Sequence, residues 1–375
     1  MRVMLLNYEY PPLGGGGGVA SKKLAEEYVR QGIKVDCITT KSMGLPKQEI
    51  VNDVSIYRIS VLGSRKQNSA GLLTLVTFPI LALFMALRLC KMNKYDGIDA
   101  HFAVPTGLLG VWVAKLSGIQ LNLFIHGGDI YDPSKKLSPH KSWILRRVVD
   151  WVLANANRVI AQSNDTKNNV YTYYTFRGNI EVVPLAYDTI PFEPRTRAEL
   201  SLKGNKKYLI SGGRMVKRKD FGTLIKVVTM MEDEIELLLF GSGPEEEYLK
   251  SLCVTLNVEH RVHFLGYVSE EKKFQYLNVS DIYVLSSLHE GFGIVLQEAM
   301  QVGLPIIATR NGGQVDLVED GVNGFLVDVG DSKAIAENVI KLLEDSELSR
   351  EISQANICKI KQYSVSNIVE TILGM

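Results

Sequence analysis

Short runs of apolar, β-branched residues alternate with stretches of helical periodicity along the whole chain. In the first half the strand candidates are residues 3–6, 34–39, 55–59, 97–100, 121–125, 158–161 and 180–183. The spacing predicts helices over 20–31 and 105–116. The second half repeats the habit, with strand candidates at 208–211, 236–240, 262–265, 282–285, 305–308 and 324–327. Regular alternation of this kind predicts parallel sheets with helices on both faces. Residues 184–197 break the pattern near the middle, with Pro184, Pro191 and Pro194 and no periodicity. Such a stretch reads as a linker. The 375 residues therefore divide near position 185 into two doubly wound, Rossmann-like α/β domains. Facing each other, they would leave a cleft at the carboxyl ends of their strands.

One apolar stretch does not fit a strand. Residues 70–87 carry no charge over eighteen positions, about the minimum for a bilayer span. Pro79 in its middle, the crowding of Arg88, Lys91 and Lys94 at one end, and αβ units on both sides argue against a span. The two readings left open are a helix buried against the sheet and a helix with one face in a lipid interface. The amino-terminal apolar run stops at Leu6, before Asn7 and Glu9, and predicts a strand rather than a signal peptide.

Charge sharpens this picture. The net charge of +1 hides an imbalance: residues 1–185 hold 22 Lys and Arg against 13 Asp and Glu, and the remainder holds 20 against 28. A basic first half faces something anionic. Its basic residues are scattered without a nucleic-acid motif, so nucleic acid is disfavoured. An anionic membrane surface is the better candidate. Cys37, Cys90, Cys253 and Cys358 lie far apart without CxxC spacing, which excludes a zinc knuckle or thioredoxin-type motif and suits reduced thiols in the cytoplasm.

Four segments carry candidate chemistry. Gly14–Gly18 follow the first strand and precede a helix expected to begin near Val19. Glycines let a backbone approach phosphate, and a helix start adds partial positive charge. The second strand ends in Thr39 and Thr40, without the acidic residue that would hold an adenosine ribose, which disfavours a nicotinamide enzyme. The second segment is Ser211-Gly212-Gly213-Arg214 with Lys219, two cations at a turn after the first strand of the second half. A planar guanidinium and a point charge suit phosphate oxygens. A solvated basic turn is the plainer alternative, since Lys217 and Arg218 are charged as well. The third is EGFGIVLQE, Glu290 to Glu298. Gly291 and Gly293 open the backbone at a helix start, and Glu298 lies on an otherwise apolar helix face. A carboxylate there needs a partner, either vicinal hydroxyls of a sugar or a lysine. The fourth is His126-Gly127-Gly128-Asp129, closing a strand of the first domain. His101 ends another such strand, with nothing to single it out. Tyr171, Tyr173, Tyr174 and Phe176 read as packing.

Together these segments resemble the retaining nucleotide-sugar glycosyltransferases of family 4, with the GT-B fold, over essentially the whole chain. The E-x7-E segment is the most specific match. The glycine loop, the HGGD segment, the Arg214 and Lys219 pair and the turn at 241–244 support it. The resemblance implies a second domain over 186–356 and a carboxy-terminal helix, 357–375, that returns to the first. It implies a sugar moved with retention from a UDP- or GDP-sugar to a cell-surface glycan or lipid-linked acceptor, without a metal or other cofactor. Arg214 and Lys219 would neutralise the leaving diphosphate. Glu298 would hold the ribose and Glu290 the donor sugar, with amides of Gly291, Phe292, Gly293, Ile294 and Val295 and residue Gly213 near sugar and phosphate. Leu265, Tyr267 and Val268 would contact the base, Gly16 and Gly17 the diphosphate, and His126 the sugar. Lipid-linked acceptors would place the protein at the inner face of the cytoplasmic membrane, docked through residues 70–94 and 135–147, including Lys135, Lys136, Lys141, Arg146 and Arg147. The alternatives are a GT-B epimerase that uses water, and a nucleotide-sugar-binding subunit without activity.

Overall fold

A computed structural model describes residues 1–62, 72–133 and 138–374. The chain divides into two compact units, 1–188 with 363–375, and 189–362. The change of unit falls inside the proline-rich stretch. The return to the first unit comes at Tyr363 rather than at residue 357, because the helix Ser346–Ile360 runs unbroken within the second unit. Only the last helix, Val365–Gly374, lies with the first.

In the first unit the strands are β1 (Arg2–Leu6), β2 (Lys34–Thr40), β3 (Gln48–Val51), β4 (Val54–Ile59), β5 (Gly97–His101), β6 (Leu121–Ile125), β7 (Arg158–Ala161) and β8 (Glu181–Val182). They form one sheet in the order β3-β4-β2-β1-β5-β6-β7-β8. All pairs are parallel except β3 with β4. The strand β3 is absent from the sequence reading. It pairs through a tight turn at Asn52 and Asp53, both at positive φ, the backbone that Asn and Asp tolerate best and that such hairpins need.

Strand β1 is buried on both sides, as a central parallel strand must be. Val3 and Leu5 pack with Leu24, Val369 and Ile372 on one face. Met4 and Leu6 pack with Phe78, Ala82 and Ile98 on the other. Period two in the strand thus sends alternate residues to two different helical layers.

The helix after β1 spans Gly16–Arg30, with Gly15 as its N-cap, not Val19 onward. Of the three glycines inside it, Gly17 and Gly18 have no room for a side chain. A Cβ on Gly17 would lie 2.5 Å from the Phe102 ring, and one on Gly18 would lie 1.9 Å from the Glu9 carbonyl. The expected helix at 105–116 also starts late. Residues Ala103–Gly107 form a wide turn and the α-helix is Leu108–Ser117. Pro105 lacks the N–H that an extended helix would need.

The apolar stretch forms the helix Leu72–Met92. Residues 70 and 71 of that prediction lie outside the described residues, as do Lys135 and Lys136. Its Phe78, Ala82, Ala86 and Leu89 are buried, while Leu73, Val76, Ile80, Leu81 and Phe84 are exposed. A helix buried on all sides is therefore excluded. It is long and apolar enough to cross a membrane by length and composition, yet one side of it is part of the core.

The second unit holds β9 (Lys207–Gly212), β10 (Ile235–Phe240), β11 (Val262–Gly266), β12 (Ile282–Leu285), β13 (Ile306–Thr309) and β14 (Phe325–Val327). They form a parallel sheet in the order β11-β10-β9-β12-β13-β14. The chain winds outward from β9 to β11, then resumes on the other side of β9 with β12. The turn after β9 and the turn after β12 therefore emerge side by side, where the winding reverses.

The turn after β9 is also zipped to the turn after β10. Gly213 N donates to Phe240 O (3.0 Å), Met215 N to Ser242 O (2.9 Å) and Glu245 N to Met215 O (3.1 Å). Gly241 makes this approach possible. Its φ is +107°, and a Cβ would sit 2.1 Å from the Gly213 carbonyl. Gly241→Ala is expected to destabilise the protein by about 2 kcal/mol or more, measured as the midpoint shift in urea unfolding. An unchanged midpoint would show that the two turns separate easily.

Candidate functional site

The loop after β12 presents Glu290, and the turn after β9 presents Arg218 and Lys219. Lys219 Nζ lies 2.7 Å from Glu290 Oε1, and Arg218 Nη1 lies 2.9 Å from Glu290 Oε2. The Ser287 hydroxyl donates to Oε1 at 2.8 Å. Burial by itself would raise the Glu290 pKa, but the Lys219 and Arg218 charges overcome it and hold it at about 2. The backbone is tied in parallel. Leu288 N donates to Arg218 O (2.8 Å) and Gly313 N to Glu290 O (2.6 Å), while Ser286 Oγ donates to the carbonyls of Lys219 and Asp220. Arg218 is therefore part of the cluster that the sequence reading confined to Arg214 and Lys219. Its signal, three consecutive cations at 217–219, was there, but a charged run reads more simply as a solvated turn. Arg214 itself is exposed and makes no ion pair among the described residues. Gly213 lies beside the Lys219 side chain: a Cβ there would be 3.3 Å from Lys219 Cε.

Gly293, at φ +105°, caps the helix Ile294–Gln301. First-turn amides of a helix lack intrahelical partners, which places Ile294 and Val295 with their N–H groups at its open end. Phe292 is buried, and Gly291 is in contact with the backbone that carries Gly313. Glu298 comes just over one turn into this helix. It is buried, and its Oε1 accepts from Lys273 Nζ at 2.7 Å. The lysine partner is thus the one present without ligand. Burial disfavours the Lys273 charge, yet Glu298 and Glu270 outweigh it and leave its pKa raised. Nothing in the sequence pointed to Lys273, which is on a different helix, Glu270–Val279. The two carboxylates therefore have separate cations. Leu265 is near the end of β11, and Tyr267 and Val268 follow it. Tyr267 is 89% exposed.

In the first unit the candidates gather at β1, β5 and β6. Gly16 opens the first turn of its helix, and Gly17 backs onto Phe102, with the His126 ring next to it: a Cβ on Gly17 would be 3.3 Å from His126 Cγ. Steric need therefore accounts for Gly17 before any ligand is considered. His126 is half-buried, and the burial of its ring pushes its pKa down to about 4. Its Nε2 lies 3.0 Å from His101 Nδ1. His101 is stacked on Phe124 at 4.6 Å. The HGGD loop is held by its own Asp129, whose carboxylate accepts from His126 N (2.9 Å) and Ala103 N (2.6 Å). That bond joins the ends of β5 and β6. Phe102, at φ +76°, is held in a backbone region that non-glycine residues seldom occupy. Sequence reasoning placed His101 at a strand end without giving it a role, and missed the role of Asp129, though an Asp three residues after the His was a readable sign of a side chain that caps its own loop.

Sign and size follow for Glu290. A depressed pKa contributes stability above the unfolded-state value, near 4.5, that is lost as pH falls toward 2. Between those limits wild type should lose about 3 kcal/mol through this one group. Glu290→Gln should lack that segment of the acid-unfolding curve, and parallel curves from pH 5 to pH 2 would refute the assignment.

The model for "Glycosyltransferase Family 4" matches residues 14–190, and that for "Glycosyl transferases group 1" matches residues 192–357. The putative glycosyltransferase EpsD of Bacillus subtilis is 31% identical, covering 77% of this chain and 78% of its own. The N-acetyl-alpha-D-glucosaminyl L-malate synthase of Bacillus anthracis is 28% identical, covering 92% and 88%. Anabaena Alr3699/HepE, solved with UDP and glucose, superposes with a TM-score of 0.80 at 21% identity, covering all of this chain and 98% of its own. At that identity the likeness is one of fold, and it is the GT-B fold.

Proposed function

The chain belongs to family 4 of the glycosyltransferases, and on that premise we propose that it moves a hexosyl unit, with retention, from a UDP- or GDP-sugar to a cell-surface glycan or lipid-linked acceptor. The observation that carries this reading is the buried Glu290 clasped by Lys219 and Arg218 at the point where the winding of the second sheet reverses. When a sugar–diphosphate bond breaks, negative charge builds on the leaving oxygen, and fixed cations stabilise it most where water is scarce. Lys219 is held in place by Glu290 before any donor arrives. Arg214, exposed beside it, supplies a second cation for phosphate oxygens. In this reading their charge takes the place of a metal ion. Glu290 Oε1 is taken by Lys219 and Ser287, whereas Oε2 has acceptor capacity beyond its Arg218 pair, so a donor-sugar hydroxyl can bond there. Glu298 holds the ribose, Leu265, Tyr267 and Val268 meet the base, and the amides at Ile294 and Val295 meet phosphate or sugar. In the first unit Gly16 and Gly17 approach the diphosphate and His126 bonds the sugar. The UDP and glucose held by the Anabaena protein support a nucleotide-sugar donor.

Donor binding can be read as thermal stabilisation. UDP-, GDP- and ADP-sugars at saturating concentration, with and without magnesium, should single out one nucleotide series by a rise of about 2 °C or more. Glu298→Ala should abolish most of that rise and most of the turnover without unfolding the protein, because Lys273 still has Glu270 at 2.9 Å. Wild-type stabilisation in that variant would remove Glu298 from the site.

The acceptor side fits an anionic membrane surface at the inner face of the cytoplasmic membrane. The helix Leu72–Met92 exposes Leu73, Val76, Ile80 and Phe84, and the helix Trp143–Asn155 exposes Trp143 and Ile144 at 70% and 56%. These two helices and Leu108–Ser117 carry Arg88, Lys91, Lys115, Arg146 and Arg147 against a single acid, Asp150. Apolar side chains with flanking cations suit an interfacial site. In flotation with vesicles of anionic lipid, wild type should rise with the vesicles at low salt. Phe84→Asp combined with Trp143→Asp should stay in the heavy fraction. Equal flotation of both would remove this surface from the proposal.

A further inference from the structure

The helix Trp143–Asn155 carries two apolar faces. Val149, Val152 and Leu153 are buried in the core. Trp143, Arg147 and Trp151 follow one another at intervals of four, with Ile144 and Val148 beside them, so these five share another side of the helix. The core does not account for that side. Leu108 and Trp112, also four apart, meet it from the helix Leu108–Ser117. Between the two helices lies a groove of about 420 Å³. Pockets that hold small molecules measure about 300–1,000 Å³.

The chain has three tryptophans in 375 residues, and all three line this groove. Apolar side chains left contiguous in water mark an interaction site. The charge here is of one sign. Arg147 stands in the wall and makes no ion pair or hydrogen bond among the described residues. Lys115 Nζ lies 4.9 Å from the centroid of the Trp151 ring. The acid of the helix, Asp150, is engaged elsewhere, where it accepts from Thr175 N at 2.7 Å. An apolar ligand with an anionic end matches both properties. The helix Leu108–Ser117 also packs against Leu72–Met92, so the groove continues the apolar side assigned above to the membrane.

We propose that the groove takes one hydrocarbon chain of an anionic membrane lipid, with Arg147 on the lipid's charged head group. This deepens the acceptor-side reading and rests on it. A groove between two helices holds a single lipid molecule, whereas the exposed side of Leu72–Met92 only rests against many. Tryptophan suits the boundary, because its apolar ring lines the chain while its N–H bonds a polar head. Apolar walls with one unpaired cation fit such a ligand better than a protein face, whose rim is broadly polar.

Because every tryptophan of the chain lines the groove, intrinsic fluorescence reads this place alone. The probes are dodecyl phosphate and dodecyl maltoside, each below its micelle-forming concentration, and inorganic phosphate, added to the full chain. Dodecyl phosphate is expected to move the emission to shorter wavelength, saturably, with one molecule bound per chain. Inorganic phosphate should leave it unchanged. Val148→Phe fills the groove without adding charge and should raise the Kd for dodecyl phosphate about 10-fold or more. Ile144→Glu, at an exposed position outside the core, should do the same by placing an anion in the wall. Arg147→Gln should weaken dodecyl phosphate about 5-fold and leave dodecyl maltoside as it was. No saturable shift in wild type, or wild-type Kd in both Val148→Phe and Ile144→Glu, overturns the proposal. Flotation of wild type with anionic vesicles in that event leaves the membrane-facing surface standing without the groove. An unchanged Kd for dodecyl phosphate in Arg147→Gln overturns the head-group assignment. Saturable binding by a wild type that floats with no vesicles overturns the membrane as source, and a dimer in sedimentation velocity that Ile144→Glu dissociates shows a second copy in the groove instead.

Discussion

A carboxylate largely withdrawn from solvent cannot stay ionised without partners, and Glu290 meets that demand with two cations from a different turn. The consequence is mechanical as well as electrostatic. Removing one partner of a buried pair leaves an uncompensated charge and costs more than the pair contributes. The turn after β9 and the loop after β12 are therefore locked in one relative position. The bond from Leu288 N to Arg218 O and those from Ser286 Oγ to the Lys219 and Asp220 carbonyls hold the same arrangement. Parallel winding brings the two turns side by side, and the ion cluster then fixes them to within a hydrogen bond. Lys219 is aimed by this cluster, and Arg214 is carried by the same turn.

Glycine plays the complementary part, by letting backbone segments meet where any side chain would intrude. Gly241 and Gly243 accept the turn after β9 at contact distance, and Gly17 and Gly18 accept Phe102 and the Glu9 carbonyl. The five-glycine run first reads as a device for approaching phosphate. Packing explains Gly17 and Gly18 fully, and the positive φ of Gly14 explains that position too. Gly15 is different, since a Cβ there would meet nothing within 4 Å. The helix start it caps is the part of the loop that packing does not account for.

Most of the fold was legible because parallel strands buried on both faces leave an unbroken apolar signature that few other structures share. The strand β3 was not legible on those terms. It lies at the sheet's edge, where Glu49 and Ile50 are not both required to be buried, and only Asn52-Asp53 marks its turn. The helix Leu72–Met92 defeated hydropathy for the opposite reason. Its exposed side is as apolar as its buried side, so periodicity cannot tell which face the core takes. At the site, Glu290, Lys219 and Glu298 were readable from local spacing. Arg218, Lys273 and His101 were not, because each acts through a partner from another strand or helix, and spacing along one segment holds no record of that meeting.

The separation of cations between the two carboxylates bears on chemistry. A glycosidase-like scheme would need one carboxyl of the pair to hold a proton near neutral pH and give it to the leaving group. Glu290 cannot be that acid. With its pKa held at about 2 by Lys219 and Arg218, it is an anion under any physiological condition. Glu298 is bonded to a different cation, Lys273, and so does not share a proton with it. Stabilising a leaving diphosphate requires positive charge, not a proton donor of that kind. The same turn supplies it through Lys219 and Arg214. Glu290 then serves the reaction by keeping Lys219 oriented and by accepting from hydroxyls. The fixed anion and the fixed cations are thus parts of one preorganised arrangement, set by the folding of the second sheet before any substrate is bound.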